Sequence, residues 1–136
     1  MAGNTRSIDI CVCTFRRPEL ADTLRSIAAM DKPAGFEIGV VVADNDDQPS
    51  AQPLVKALAQ ELKLPIRYRH APARNISIAR NACLDASVSD LVAYIDDDET
   101  ASVRWLAELV ATAEASGATA VLGPVRARYG SEAPAW

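Results

Sequence analysis

Apolar residues follow two rhythms along this chain. Short, nearly continuous runs cover residues 7–14 (SIDICVCT), 36–43 (FEIGVVVA), 66–70, 91–95 and 120–125. Runs of this length, bounded by polar residues, predict five strands, the first two buried on both faces. Between them the apolar positions recur every three to four residues. After Arg17-Pro18, a good helix opening, Leu20, Leu24, Ile27 and Ala28 mark a helix to about Met30, and residues 32–35 (KPAG) break it. Ser50 can cap a helix to about Leu62 with Leu54, Val55, Leu58 and Leu62 inward. Residues 76–86 form a third helix with Ile78, Ala79, Ala82 and Cys83 inward, and a fourth starts at Thr100 or Ser102 and stops at Gly117. Strand and helix alternate throughout, which predicts an α/β fold: a mostly parallel sheet with helices on both faces. No repeat or linker divides the chain, so residues 1–136 form one domain.

In such sheets ligands bind beyond the carboxyl ends of the strands. The unusual polar residues fall there: Thr14-Phe15-Arg16-Arg17 after the first strand, Asp44 to Asp47 after the second, an Arg/Asn group after the third, and Asp96 to Glu99 after the fourth. Four adjacent acids repel one another. Asp96 and Asp98, one residue apart, could hold Mg2+ or Mn2+, hard cations that keep waters and share substrate phosphates. A plainer account is a solvated turn whose acids favour the dipole of the following helix. Arg67, Arg69, His70, Arg74 and Arg80 form a basic stretch, and Arg binds phosphate with a planar fork of donors. Exposed arginines covering apolar surface with their stems are the alternative for Arg67 and Arg69, and His70 reads as structural. Asp44 could accept a hydrogen bond from a base or ribose, or close its strand as an Asx turn. The loop after the first strand lacks glycine, so neither the dinucleotide fingerprint nor the P-loop applies.

The net charge of -4 argues against a nucleic-acid partner. Three cysteines and no apolar leader suit a reducing cytoplasm. Cys11 and Cys13 share a strand face, and all three thiols read as buried and inert. No apolar run approaches the roughly 20 residues of a bilayer span; peripheral contact with the inner face of the cytoplasmic membrane is compatible with this.

CVCTFRRPELADTLRSI, VVVADNDD, ARNISIARN and YIDDDE, in that order, resemble the donor half of the family 2 inverting glycosyltransferases of GT-A fold, with a first motif similar to succinoglycan-type exopolysaccharide transferases. The resemblance runs from Ser7 to Val125. It implies a nucleotide-sugar donor, most often a UDP-sugar, with Mn2+ or Mg2+, and a saccharide or lipid-linked acceptor. It places Thr14, with Phe15 and Arg16, against the nucleoside, Asp44 on the base, Arg80 near the nucleotide, Asp96 by the ribose beside Asp97, and Asp98 with Asp96 on the metal. In that family a general base follows in the second half of the domain. Here only Glu108, Glu114 and Glu132 come later, none in that context, so a donor-binding half is expected, with apolar surface open near Trp105 or Trp136 and a tendency to dimerise.

Other classes fit less well. D-x-D-x-T, Asp96 to Thr100, is also a phosphatase pattern, but that chemistry needs a later Lys and none follows Lys63. A phospho-receiver needs paired acids where Thr14-Phe15-Arg16 stands. A non-catalytic nucleotide-binding or assembly module remains the alternative.

Overall fold

The computed structural model describes residues 5–134. Four strands, β1 (Arg6–Thr14), β2 (Phe36–Asp44), β3 (Ile66–His70) and β4 (Leu91–Tyr94), alternate with four helices, α1 (Leu20–Ala29), α2 (Gln52–Leu62), α3 (Ile76–Ala86) and α4 (Trp105–Ser116). The strands form one parallel sheet in the order β3-β2-β1-β4. The register brings Thr14 beside Asp44, Asp44 beside His70, and Cys11 beside Tyr94. Every strand therefore delivers its following loop to the same edge.

The alternation of side chains along β1 and β2 splits the core in two. Ile8, Ile10, Val12, Val40 and Val42 pack with Leu20, Leu24 and Ile27 of α1, Val55 and Leu58 of α2, and Leu106 and Val110 of α4. Each large aliphatic side chain buried in this way contributes roughly 1.5–3 kcal/mol. On the other face Cys11, Cys13, Val41 and Ala43 meet Ala79, Cys83 and Ala86 of α3. These small side chains let α3 lie close to the sheet. Cys13 Sγ and Cys83 Sγ are 4.0 Å apart; hydrogen bonding with Cys11, together with burial, pushes the Cys83 thiol up to about 12, so the thiols stay protonated and unreactive.

At the amino ends of the strands, buried Asp9 accepts hydrogen bonds from Ser87 Oγ at 2.7 Å and Val88 N at 3.2 Å and pairs with Arg67. Burial pushes its carboxyl up, but the bonds from Ser87, Ser89, Val88 and Arg67 outweigh burial and the net shift is downward. Gly39 is required here, because a Cβ on it would run into the Asp9 carboxylate.

The elements depart from the sequence pattern in four places. Residues 120–125 form no strand. Leu122 is 97% exposed, and among the described residues β4 pairs with β1 alone; an apolar run becomes a strand only when a ladder partner takes up its N–H and C=O groups. Instead this segment, with Trp105 and Leu109 of α4, lines an open groove beside β4. That is the apolar surface expected near Trp105; Trp136 lies outside the described residues. Second, α4 starts at Trp105 rather than at 100 or 102, since Ser102 is spent in a turn whose carbonyl accepts the Trp105 N–H at 3.0 Å. Third, Ala51 rather than Ser50 stands at the N-cap position of α2, and no side chain caps it. Fourth, Ile78 faces outward, 46% exposed, because α3 meets the sheet through its small residues.

Candidate active site at the carboxyl edge of the sheet

The loop after β2 is the most fully bonded part of this edge. Asp44 is 0% exposed. Its carboxylate accepts the Asp46 N–H at 3.1 Å, the Ala51 N–H at 2.8 Å and the Tyr68 hydroxyl at 2.7 Å. It thus ties β2 to the start of α2 and to β3. Burial and Asp44 together push the Tyr68 phenol well above its ordinary value. The expected base-reading aspartate is therefore committed largely to the protein, as an Asx turn would have it. Asn45 continues the network, donating its N–H to Thr14 O at 2.9 Å and its side-chain amide to Ala71 O at 2.7 Å.

Asp46 is also buried and takes the Arg16 guanidinium in a two-point grip, Nε to Oδ2 at 3.0 Å and a terminal nitrogen to Oδ1 at 2.9 Å. That bond holds its carboxyl well below the usual carboxylate range. Asp47 pairs with Arg74. Both arginines have left-handed backbones, φ 52° at Arg16 and 45° at Arg74, a conformation that side chains disfavour unless their surroundings impose it. His70 Nε2 lies 2.8 Å from Asp46 O, consistent with a structural histidine.

On the far side of β1 the acidic run behaves differently. Asp97 turns inward and accepts the Thr14 hydroxyl at 2.8 Å. Its burial outweighs that bond and the nearby Arg17, so its carboxyl is pushed up. Asp96 and Asp98 turn outward, with side chains 61% and 49% exposed. Arg80 reaches Asp96 at 3.9 Å, and Arg17 spans Asp97 and Asp98 at 3.4 Å each. Glu99 folds back to accept the Asp96 N–H at 3.2 Å. Two arginines thus relieve the repulsion of the run.

The edge therefore brings together Thr14, Phe15, Arg16, Asp44, Arg80, Asp96, Asp97 and Asp98. Arg67 does not join them, since it pairs with Asp9 at the amino end; the basic stretch contributes Arg74 and Arg80. Three participants carried no distinguishing signal in sequence. Tyr68 is one of several aromatic residues, Arg17 is one of two adjacent arginines, and Asp46 is the third residue of a run in which only the first had a role. Among the described residues no three His, Cys, Asp or Glu side chains cluster as a metal cage. Asp96 and Asp98 offer two exposed carboxylates, which suits a hard cation completed by water and phosphate oxygens.

Among solved structures the fold is similar to residues 1–349 of TarS from S. aureus, with TM-score 0.68 and 20% identity over 80% of this chain and 32% of that one. A similar likeness, TM-score 0.68 and 22% identity over 76% and 31% of the two chains, holds for the Pyrobaculum calidifontis mannosyltransferase PcManGT, solved with GDP-Man and Mn2+. These likenesses show a GT-A fold. In sequence the chain is 57% identical to the succinoglycan biosynthesis protein ExoM of Rhizobium meliloti (strain 1021) over all 136 of its residues. It spans 44% of that relative's length. The family model described as "Glycosyl transferase family 2" matches residues 9–136, and the chain belongs to that family.

Proposed function

We propose that this chain binds the nucleotide-sugar donor, a UDP-sugar, of an inverting transferase in exopolysaccharide synthesis, with a divalent cation at Asp98 and Asp96. The observation that supports it is the pairing of acids and arginines at one edge: Asp96 with Arg80, and Asp98 with Arg17. A diphosphate and its cation would satisfy both sets of charges at once. Mn2+ or Mg2+ there would neutralise charge building on the diphosphate leaving group. Arg80 and Arg17, released from the carboxylates, would turn to phosphate oxygens, the ligands their planar forks suit. The relatives support the donor class, since TarS was solved with UDP-GlcNAc and PcManGT with GDP-Man and Mn2+.

The catalytic base is a separate matter. Glu114 pairs with Arg6 at the amino end of β1, and Glu108 pairs with Arg104 on the surface of α4. Neither geometry suits deprotonation of an acceptor hydroxyl at the carboxyl edge, so neither residue takes a catalytic role. The test is calorimetric titration with UDP, with and without Mn2+. Asp98→Asn should weaken binding about tenfold in Mn2+ and leave metal-free binding unchanged. Equal affinity of variant and wild type in Mn2+ removes the metal from Asp98.

A further inference from the structure

Arg16 and Arg17 are neighbours in sequence and point opposite ways along the edge. Arg17 reaches the acids after β4, whereas Arg16 reaches Asp46 after β2. The left-handed backbone at Arg16 accompanies this divergence. A guanidinium carries five N–H donors. Asp46 engages Nε and one terminal nitrogen, which leaves three donors on a group fixed in place and partly open to solvent. The Arg16 guanidinium carbon also lies 5.1 Å from the centroid of the Phe15 ring.

We propose that Arg16, held by Asp46, determines base specificity: its free N–H groups donate to a ring carbonyl of the nucleobase, selecting an oxo-substituted base over its amino-substituted counterpart. This rests on the donor-binding reading above. If the diphosphate and cation lie at Asp96 and Asp98, the nucleoside extends away from β4, across β1 and toward the loop after β2, where Arg16 is turned. Asp44 keeps about one acceptor site for a base, because three protein donors already use its carboxylate. Of the nucleoside's groups, ring carbonyls are the acceptors best matched to a charged donor. Asp46 acts through Arg16 and is a positioning residue. Its buried carboxylate cancels the charge of Arg16 locally and fixes the plane of the fork, which makes the contact directional rather than merely attractive.

The test compares UDP with CDP, which differ at C4, a carbonyl in uracil and an amino group in cytosine, and at N3, which bears hydrogen only in uracil, by calorimetry in Mn2+. Wild type should prefer UDP roughly tenfold, the range of one charge-assisted hydrogen bond. Arg16→Gly should abolish the preference while keeping the left-handed backbone that glycine favours. Arg16→Lys keeps the charge but not the fork and should also lose it. Asp46→Asn should lose most of it, and adding Asp46→Asn to Arg16→Gly should change nothing further. A UDP preference retained in Arg16→Gly overturns the role of Arg16, as does its absence in wild type. A preference retained in Asp46→Asn overturns the positioning role, and if that variant fails to fold, a preference retained in Arg16→Lys overturns it. Failure of wild type to bind either nucleotide in Mn2+ overturns the donor-binding reading instead.

Discussion

Asp44, after β2, accepts three hydrogen bonds of 3.1 Å or less, whereas the outward acids after β4 have only Arg17 at 3.4 Å from Asp98 and Arg80 at 3.9 Å from Asp96. Both loops are acidic and both follow a strand of the same sheet. In the first, Asp44 and Asp46 are buried and Asp44 organises backbone, so the loop's shape is settled before any ligand arrives. In the second, Asp96 and Asp98 are exposed and held by side chains that can leave, while Asp97 turns inward to Thr14. A site that must recognise shape at one end and exchange charged partners at the other needs both constructions: preorganisation keeps geometry, and weak exposed pairs cost little to break.

The comparison can be broken most severely at Asp44. Asp44→Ala leaves two N–H groups and the Tyr68 hydroxyl without their acceptor, and should cost about 3 kcal/mol or more. That corresponds to a fall in Tm of roughly 10 °C, readable by thermal denaturation. The same measurement on Asp98→Asn should move by little, an exposed substitution being usually within about 0.5 kcal/mol. Comparable losses in the two variants would erase the distinction between the loops.

Acid provides a second, smaller probe. The folded pKa of Asp46 lies below its ordinary 3.8 because Arg16 bonds to it. Its contribution to stability is therefore complete above the unfolded value and is lost as pH falls through that value toward the folded one. Wild type and Asp46→Asn should differ in Tm near neutrality and converge as pH drops below about 4. A gap that stays constant down to pH 2 would mean that the Arg16 pair adds nothing.

The smallest effect is expected at the exchangeable end. Arg17→Gln removes a competitor for Asp98 and should tighten Mn2+ binding to the nucleotide-free chain by roughly two- to fivefold, the scale of an exposed ion pair. Manganese titration followed by magnetic resonance would register it. Unchanged affinity would show that Arg17 does not compete.

Sequence carried the architecture well because buried strands and amphipathic helices announce themselves by period. β3 at Ile66–His70 and α3 at Ile76–Ala86 appear with the bounds the pattern predicts. Residues 120–125 show the limit: their composition is that of a strand, but pairing is a property of the neighbour. Ile78 shows another, since helical spacing allows two adjacent faces and only the small residues of the sheet side decide between them. At the site, the run D-N-D-D was visible as a group. The division of labour within it was not, because which carboxylate faces Tyr68 and which faces Arg16 depends on contacts from β3 and from the loop after β1. The left-handed backbones at Arg16 and Arg74 were equally hidden, as both positions carry a residue that gives no hint of it.

The sheet order has a consequence for local opening. β1 is joined to β2 through nine residue pairs, from Arg6 with Phe36 to Thr14 with Asp44, but to β4 through four, from Ile8 with Leu91 to Cys11 with Tyr94. Closing the longer chain loop to β4 costs only about 1 kcal/mol more than closing that to β2, so the imbalance lies in the short ladder rather than in the separation. As an edge strand with few bonds, β4 belongs to the low-stability end of the molecule. The acids it carries are thus anchored to a part of the sheet that opens at low cost, while the loop after the central strand β2 remains with the part that opens last.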